Sequence, residues 1–330
     1  MKVTTRALVV GLSSYLPPLY KRLMGGTGGS DSSRYCYSTW MRHMVMAHKH
    51  GLPTDPKVIA ELGPGDSIGL GLMALLTGTE FYYAFDVVTF ANLDRNLKIF
   101  EELIELFRKR EPVPDEKEFP HVRPRLDSYI FPREIFPDSR LEAALQPARL
   151  ERIRASIRNN NDPQSVIKYM VPWYDAEILQ SESVDFIFSQ AVLEHVDQLR
   201  GAYKSMHSWL KPEGFMSHQI DFKSHKTSDA WNGHWAYSDF HWRLIRGRQA
   251  FLLNRQPYAT HLKMLREEGF TMIGDAKDST PSGIPRGKLA PRFKSISEDD
   301  LNTSAAFVLA RKTVSEGVPE NHAASRLAVR

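Results

Sequence analysis

Apolar and polar positions along this chain switch between two periods, and the switching sets out an alternation of strands and helices. Short apolar runs bounded by turn residues predict strands at 57–62, 80–85, 165–171, 184–189 and 214–221, one beginning at 270–273, and one at 305–311. Between them, a period near 3.6 predicts helices at 34–50, 67–76, 92–110, 198–210 and 258–268. Tyr37, Trp40, Met41 and Met44 fall on one face of the first helix, a face suited to packing against a core. Lys211-Pro212-Glu213-Gly214 stops a helix just before the fifth strand. Strands alternating with helices predict an α/β fold whose sheet is mostly parallel and covered on both faces.

The regular pattern breaks twice. Residues 111–163 are rich in proline and charge, with a helical pair near 139–145 and 148–159, and read as an insertion. Such an insertion can shape a ligand site, or it can serve as a surface elaboration or a dimer contact. Residues 222–257 form a second insertion, unusually dense in His and Trp. Residues 1–33 read as a flexible leading segment containing the glycine-rich stretch 25–30, and 313–330 as a disordered tail. The domain proper spans 34–312.

Composition narrows the class of protein. At 330 residues, 42% hydrophobic and 25% charged, the chain is ordinary for a globular protein. Its net charge of +4 is spread without a basic run, which argues against nucleic acid as a partner. No stretch is long and apolar enough for a membrane span. The apolar run 7–12 is soon broken by Pro17-Pro18 and lacks a cleavage site, which argues against a signal peptide. A single cysteine, Cys36, excludes an internal disulfide and a structural zinc site and suits a reducing cytoplasm, the expected location.

The chemistry-bearing residues lie at the ends of the predicted strands. The first strand runs into Glu61-Leu62-Gly63-Pro64-Gly65-Asp66-Ser67, a glycine turn that a helix then leaves, as in cradles for nucleotide cofactors. The second ends at Asp86, 21 positions after Gly65, where a carboxylate can accept both hydroxyls of a ribose. Counting from Gly63, the third glycine of a dinucleotide fingerprint would fall at Ile68, which weakens a dehydrogenase or epimerase reading. The glycines at 25–29 lack the Gly-Lys-Ser/Thr ending of a phosphate loop. Downstream come Asp175-Ala176-Glu177 and the run Val184 to Val196, with Gln190 at the fourth strand's tip.

As an ordered series, over roughly residues 55–275, these motifs resemble the class I S-adenosylmethionine-dependent methyltransferase family. The resemblance implies a Rossmann-like, seven-stranded, mostly parallel sheet with an antiparallel last strand, and S-adenosylmethionine as cofactor. It places Glu61, Gly63, Pro64 and Gly65 beneath the cofactor's amino-acid part, Asp86 at its ribose, and Asp175 and Ala176 at the adenine, with Gln190 on the same rim. Where the family prefers a further glycine, this chain has Ser67, a good helix N-cap.

Methyl transfer to a hydroxyl needs a base or a metal to remove the proton. Asp221, closing strand five, and His225 are the first candidates, Asp221 orienting His225 or binding substrate; His195 is the competing base. No metal is expected. Glu194-His195 resembles a magnesium-binding pair in some quinone-pathway relatives, but only Glu194 and Asp221 offer the oxygens that magnesium prefers. Trp231, His234, Trp235, Tyr237, His241 and Trp242 suit carbohydrate, since indole faces cover a sugar ring while imidazoles take its hydroxyls. This segment is similar to sugar O-methyltransferases of bacterial surface-polysaccharide gene clusters. Those relatives would place Asp directly before His, whereas Ser224 precedes His225.

The leading expectation is therefore an O-methyltransferase acting on a sugar, glycan or other small molecule, with a homodimer left open. A methyltransferase on nucleic acid or protein fits less well, because 189–192 lacks the Asn/Asp-Pro-Pro-aromatic signature. A non-catalytic cofactor-binding scaffold is the alternative from another class.

Overall fold

The computed structural model describes residues 3–16, 30–173, 176–249 and 251–313. In chain order the elements are α1 (Val3–Ser13), α2 (Ser33–Lys49), β1 (Val58–Leu62), α3 (Gly69–Leu76), β2 (Phe81–Phe85), α4 (Leu93–Arg108), α5 (Asp138–Ala144) and α6 (Pro147–Arg158). There follow β3 (Ile167–Met170), β4 (Val184–Gln190), α7 (Leu199–Trp209), β5 (Leu210–Asp221), α8 (Asp239–Arg246), α9 (Tyr258–Glu267), β6 (Phe270–Ser279), α10 (Glu298–Asn302) and β7 (Thr303–Lys312).

The seven strands form one sheet in the order β3-β2-β1-β4-β5-β7-β6. β1 to β5 pair in parallel, and β7 runs antiparallel to both β5 and β6, as the resemblance implied. The order reverses between β1 and β4, so a crevice opens at the carboxyl ends of those two strands, where α/β sheets bind ligands.

Each face of the sheet has its own core. One holds Trp40, Met44, Leu72, Phe100, Leu103, Leu141 and Ile153, brought by α2 to α6. The other holds Tyr203, Met206, Trp209 and Leu265, brought by α7 and α9. Ser32 caps α2 by accepting a hydrogen bond from the Tyr35 amide, and Asn92 caps α4 through the Arg95 amide. The buried guanidinium of Arg42 on α2 donates to the carbonyls of Pro114 and Pro124 and pairs with Glu116, which fastens the insertion 111–163 to the domain.

Gly71 shows how tightly α3 meets the sheet. A Cβ there would overlap the Tyr82 ring, whose hydroxyl donates to Glu61. Gly71→Ala is expected to cost about 1–3 kcal/mol through overpacking, read as a lower denaturation midpoint. An unchanged midpoint would show that the ring moves aside freely.

Three expectations need correction. Residues 3–13 form a helix, although the leading segment was expected to be flexible; α1 seats Gly11 against the Leu244 and Ile245 carbonyls of α8, an approach that only a residue without Cβ permits. β5 begins at Leu210, and the expected stop at 211–214 becomes a bulge within the strand, with Glu213 at φ 65°. α3 begins at Gly69, so Ser67 precedes it without acting as N-cap. The Ile68 amide is taken by the Asn96 side chain, and Ser67 ties the turn to Ser30. Of the expected tail 313–330, Thr313 donates its amide to the Gly269 carbonyl, while 314–330 and the glycines at 25–29 lie outside the described residues.

Candidate functional site

The glycine turn is held from below. Gly63 and Gly65 sit at φ 64° and 73°, backbone that favours glycine. The Gly63 amide donates to the Phe85 carbonyl, which couples the tips of β1 and β2. Asp86 closes the turn: one carboxylate oxygen accepts from the Gly65 amide at 3.3 Å and the other from Val87 at 2.8 Å. Each oxygen keeps a second lone pair, so the group can still accept two hydroxyl protons from a ribose. Burial raises the Asp86 pKa, and the backbone amides work against that rise. Pro64 is buried within the turn.

Glu61 plays a different part from its neighbours. Its carboxyl is buried and bonded to Tyr82, and burial raises its pKa to about 8. It braces the turn from the core side. Asp175 lies outside the described residues, and Ala176 opens a single 3-10 turn, Ala176–Ile178. Gln190 ends β4, and its amide donates to the Arg123 carbonyl at 3.4 Å while its Oε1 is buried without a partner among the described residues. Because Arg123 also pairs with Asp278 on β6, the first insertion passes over the strand tips and walls the crevice.

The loop after β4 lies against the glycine turn: a Cβ at Gly63 would come within 2.6 Å of the Val192 side chain. It continues into Leu193–His195, a single 3-10 turn. Glu194 is buried, neither carboxylate oxygen has a hydrogen-bond partner among the described residues, and burial followed by the charge of Asp221 raises its pKa well above the usual range. His195 is lowered to about 4 by burial and by the neighbouring His225, and its Nδ1 is unpartnered. The His195 and His225 rings stand 5.0 Å apart.

Asp221 and His225 come together as a pair. Nε2 of His225 lies 3.3 Å from Oδ2 of Asp221, although Ser224 precedes the histidine. Lys223 contributes its amide and its ammonium to the other oxygen of Asp221. Burial pushes the Asp221 carboxyl up, but the bond from His225 and the Lys223 charge prevail and hold it at about 2. The pairing depends on backbone that residue types do not announce: His225 and Lys226 have φ 42° and 66°. Ala191 and Arg255, near the same rim, are also left-handed, and strain of this kind clusters at functional sites.

The aromatic insertion divides in two. Trp235 is fully buried and packs with Leu289 and Phe293, and Trp242 packs with Ile245 and Leu253 under the Arg255 guanidinium. These two indoles build the insertion's own core, so they are not free to lie on a sugar ring. His241 is exposed on α8 and bonded to Ser238. His234, by contrast, is buried near His225 and Asp221, and among the described residues its Nδ1 and Nε1 of Trp231 have no hydrogen-bond partner.

Ligand atoms of Glu194, His195 and His225 lie within 4.8 Å of one another. One carboxylate and two imidazoles make a poor set for magnesium, which prefers oxygen, and Asp221 is already engaged by His225 and Lys223. The residues do not fit the magnesium alternative. Among the described residues no helix is long and apolar enough to cross a membrane.

Residues 145–217 match the family model described as a methyltransferase domain. The match covers under a quarter of the chain; it supports S-adenosylmethionine as the cofactor of this Rossmann-like sheet, whose glycine turn Asp86 braces. No curated protein matches. Among solved structures, an S-adenosylmethionine-dependent methyltransferase from Mesorhizobium loti is 14% identical, covering 81% of this chain and 96% of its own, with a TM-score of 0.39. The [4+2]-cyclase SpnF is 13% identical over 83% and 81%, with a TM-score of 0.42. Phosphoethanolamine N-methyltransferase 2 from Haemonchus contortus, in complex with S-adenosyl-L-methionine, is 12% identical over 86% and 58%, with a TM-score of 0.41. At these identities and TM-scores they add nothing to what the chain's own residues establish.

Proposed function

We propose that the protein transfers a methyl group from S-adenosylmethionine to a hydroxyl of a sugar or other small molecule. The observation that carries this reading is the Asp221–His225 pair, set beside His195 and the unsatisfied Glu194. The cofactor supplies a methyl on a sulfonium, and the protein must align the acceptor oxygen with it and exclude water. An alcohol reacts poorly until its proton leaves. Asp221 accepts a hydrogen bond from Nε2–H of His225, which fixes the tautomer and leaves Nδ1 with the lone pair that receives the acceptor's proton. Asp221 then stabilises the imidazolium. Unpaired polar atoms of Glu194, His195, His234 and Trp231 give a polyhydroxylated acceptor hydrogen-bond partners around that centre.

In the same reading Gly63, Pro64, Gly65, Asp86, Ala176 and Gln190 contact the cofactor, with Asp175 at the adenine. Calorimetric titration with S-adenosylmethionine and S-adenosylhomocysteine, with NAD as control, tests the cofactor half. Both sulfur compounds are expected to bind at micromolar affinity or better. Asp86→Ala, which removes two charge-assisted contacts, is expected to weaken them about a hundredfold. Binding of NAD alone would replace the reading with redox or epimerase chemistry. Turnover of a hydroxylated acceptor panel tests the other half; cofactor binding without turnover on any acceptor would favour a non-catalytic scaffold.

A further inference from the structure

We propose that α1 and the adjoining edge of the second insertion dock on a bilayer surface bearing anionic headgroups. Nine large hydrophobic side chains are exposed among the described residues, and six of them, Val9, Leu12, Tyr15, Leu16, Phe240 and Phe251, belong to residues 9–16 and this insertion. Val9 and Leu12 share one side of α1, and Leu16 follows in the turn after it; the three are exposed 44%, 56% and 59%. Holding α1 in place does not require them. Its inner side does that: Ala7 joins Trp242 and Ile245, Gly11 meets the α8 backbone, and Ser14 accepts from the Arg248 amide at 2.7 Å. An amphipathic helix that turns a second apolar stripe to water while already docked presents that stripe to something else.

Charge indicates the occupant. Arg6, Arg243 and Arg248 are exposed around the stripe, and the Arg248 guanidinium lies 5.0 Å from the Tyr15 ring centroid. Nearby carboxylates are engaged elsewhere, Asp197 by Arg246 and Asp239 by Arg255 and Arg292. Apolar residues flanked by arginines that have no ion-pair partner among the described residues have the chemistry of a helix lying in an anionic lipid interface. A second copy fits less well, because a two-fold contact would bring the same arginines against one another. The surface adjoins the acceptor site, since the Phe251 backbone faces His195. An acceptor hydroxyl carried by an amphiphile would therefore meet the site from the lipid side.

Co-sedimentation with phosphatidylcholine vesicles, with and without phosphatidylglycerol, tests the docking independently of methyl transfer. Binding is expected only with phosphatidylglycerol and is expected to fall with salt. Leu12→Asp combined with Leu16→Asp should weaken it about tenfold or more. Arg6→Glu combined with Arg248→Glu should do the same, at about fivefold for each arginine lost. All these residues are exposed, so both variants should keep the parent's denaturation midpoint and cofactor titration. Absence of binding to either vesicle overturns the proposal, as does equal binding to both. Light scattering that shows a dimer, dissolved by the leucine changes and indifferent to vesicles, would assign the surface to self-association instead.

Discussion

Replacing His225 with alanine is expected to slow methyl transfer by about 10²–10⁴-fold, the usual worth of a positioned base, while cofactor affinity stays within about twofold. The split follows from placement: His225 contacts Asp221 and faces His195, whereas the glycine turn is held by Asp86 and Phe85. Because His225 sits at φ 42°, the alanine variant also carries backbone strain. His225→Asn is the companion, since asparagine tolerates left-handed backbone and cannot act as the base. Added imidazole should restore part of the rate in His225→Ala by occupying the vacated space. Asp221→Asn should lower kcat with little change in KM, because the histidine then loses its orienting acceptor. Full turnover by His225→Ala, with turnover lost in His195→Ala, would move the base to the loop after β4.

Which parts of this site were legible in the chain depends on what made each residue necessary. Gly63, Gly65 and Asp86 were legible because backbone geometry leaves few residue types for a left-handed turn and its anchoring carboxylate. The strands and helices were legible because their periods follow directly from burial on one or both faces. Asp221 and His225 could be named as candidates, but their pairing depends on two consecutive left-handed residues that no local rule demands of His and Lys. Trp235 and Trp242 mislead for a related reason. An aromatic residue in an insertion looks the same whether it meets a ligand or, as Trp235 and Trp242 do, Phe293 and Ala7, which are distant in sequence. The first insertion reveals itself as a wall only through Arg123, whose partners Gln190 and Asp278 lie on other elements. α1 needed the α8 backbone to receive Gly11 before its run of small and apolar residues had a meaning.

Acid is expected to unfold the protein steeply below about pH 4.5, because four fully buried histidines are held neutral. His43, His218, His234 and His261 are each lowered from 6.5 to about 3, chiefly by burial. Three of them find hydroxyl partners inside the cores, Ser217, Ser189 and Tyr203, and leave the second ring nitrogen unsatisfied. A group whose folded pKa is depressed gives stability that is full above its unfolded value and is lost as pH falls towards the folded one. Each histidine therefore removes about 1.4 kcal/mol per pH unit below 6.5, and the four together about 5.6. Glu61 and Glu194 act in the opposite direction. Their raised pKa values mean that burying them costs least below 4.5 and more as pH rises, for Glu61 until about 8. Between 6.5 and 4.5 Glu61 offsets about a quarter of the histidine loss by the same linkage, and Glu194 adds to that relief. Below 4.5 that relief is exhausted, and below 3.8 protonation of Asp221, held at about 2, adds to the decline. Denaturant unfolding at a series of pH values should thus show a shallow fall that steepens near 4.5. His218→Gln, which cannot titrate, should reduce the steep limb by about 1.4 kcal/mol per pH unit. Stability that stayed level to pH 4 would mean that these rings are hydrated or protonated in the folded protein, and that the sheet's two cores are less closed than their packing indicates.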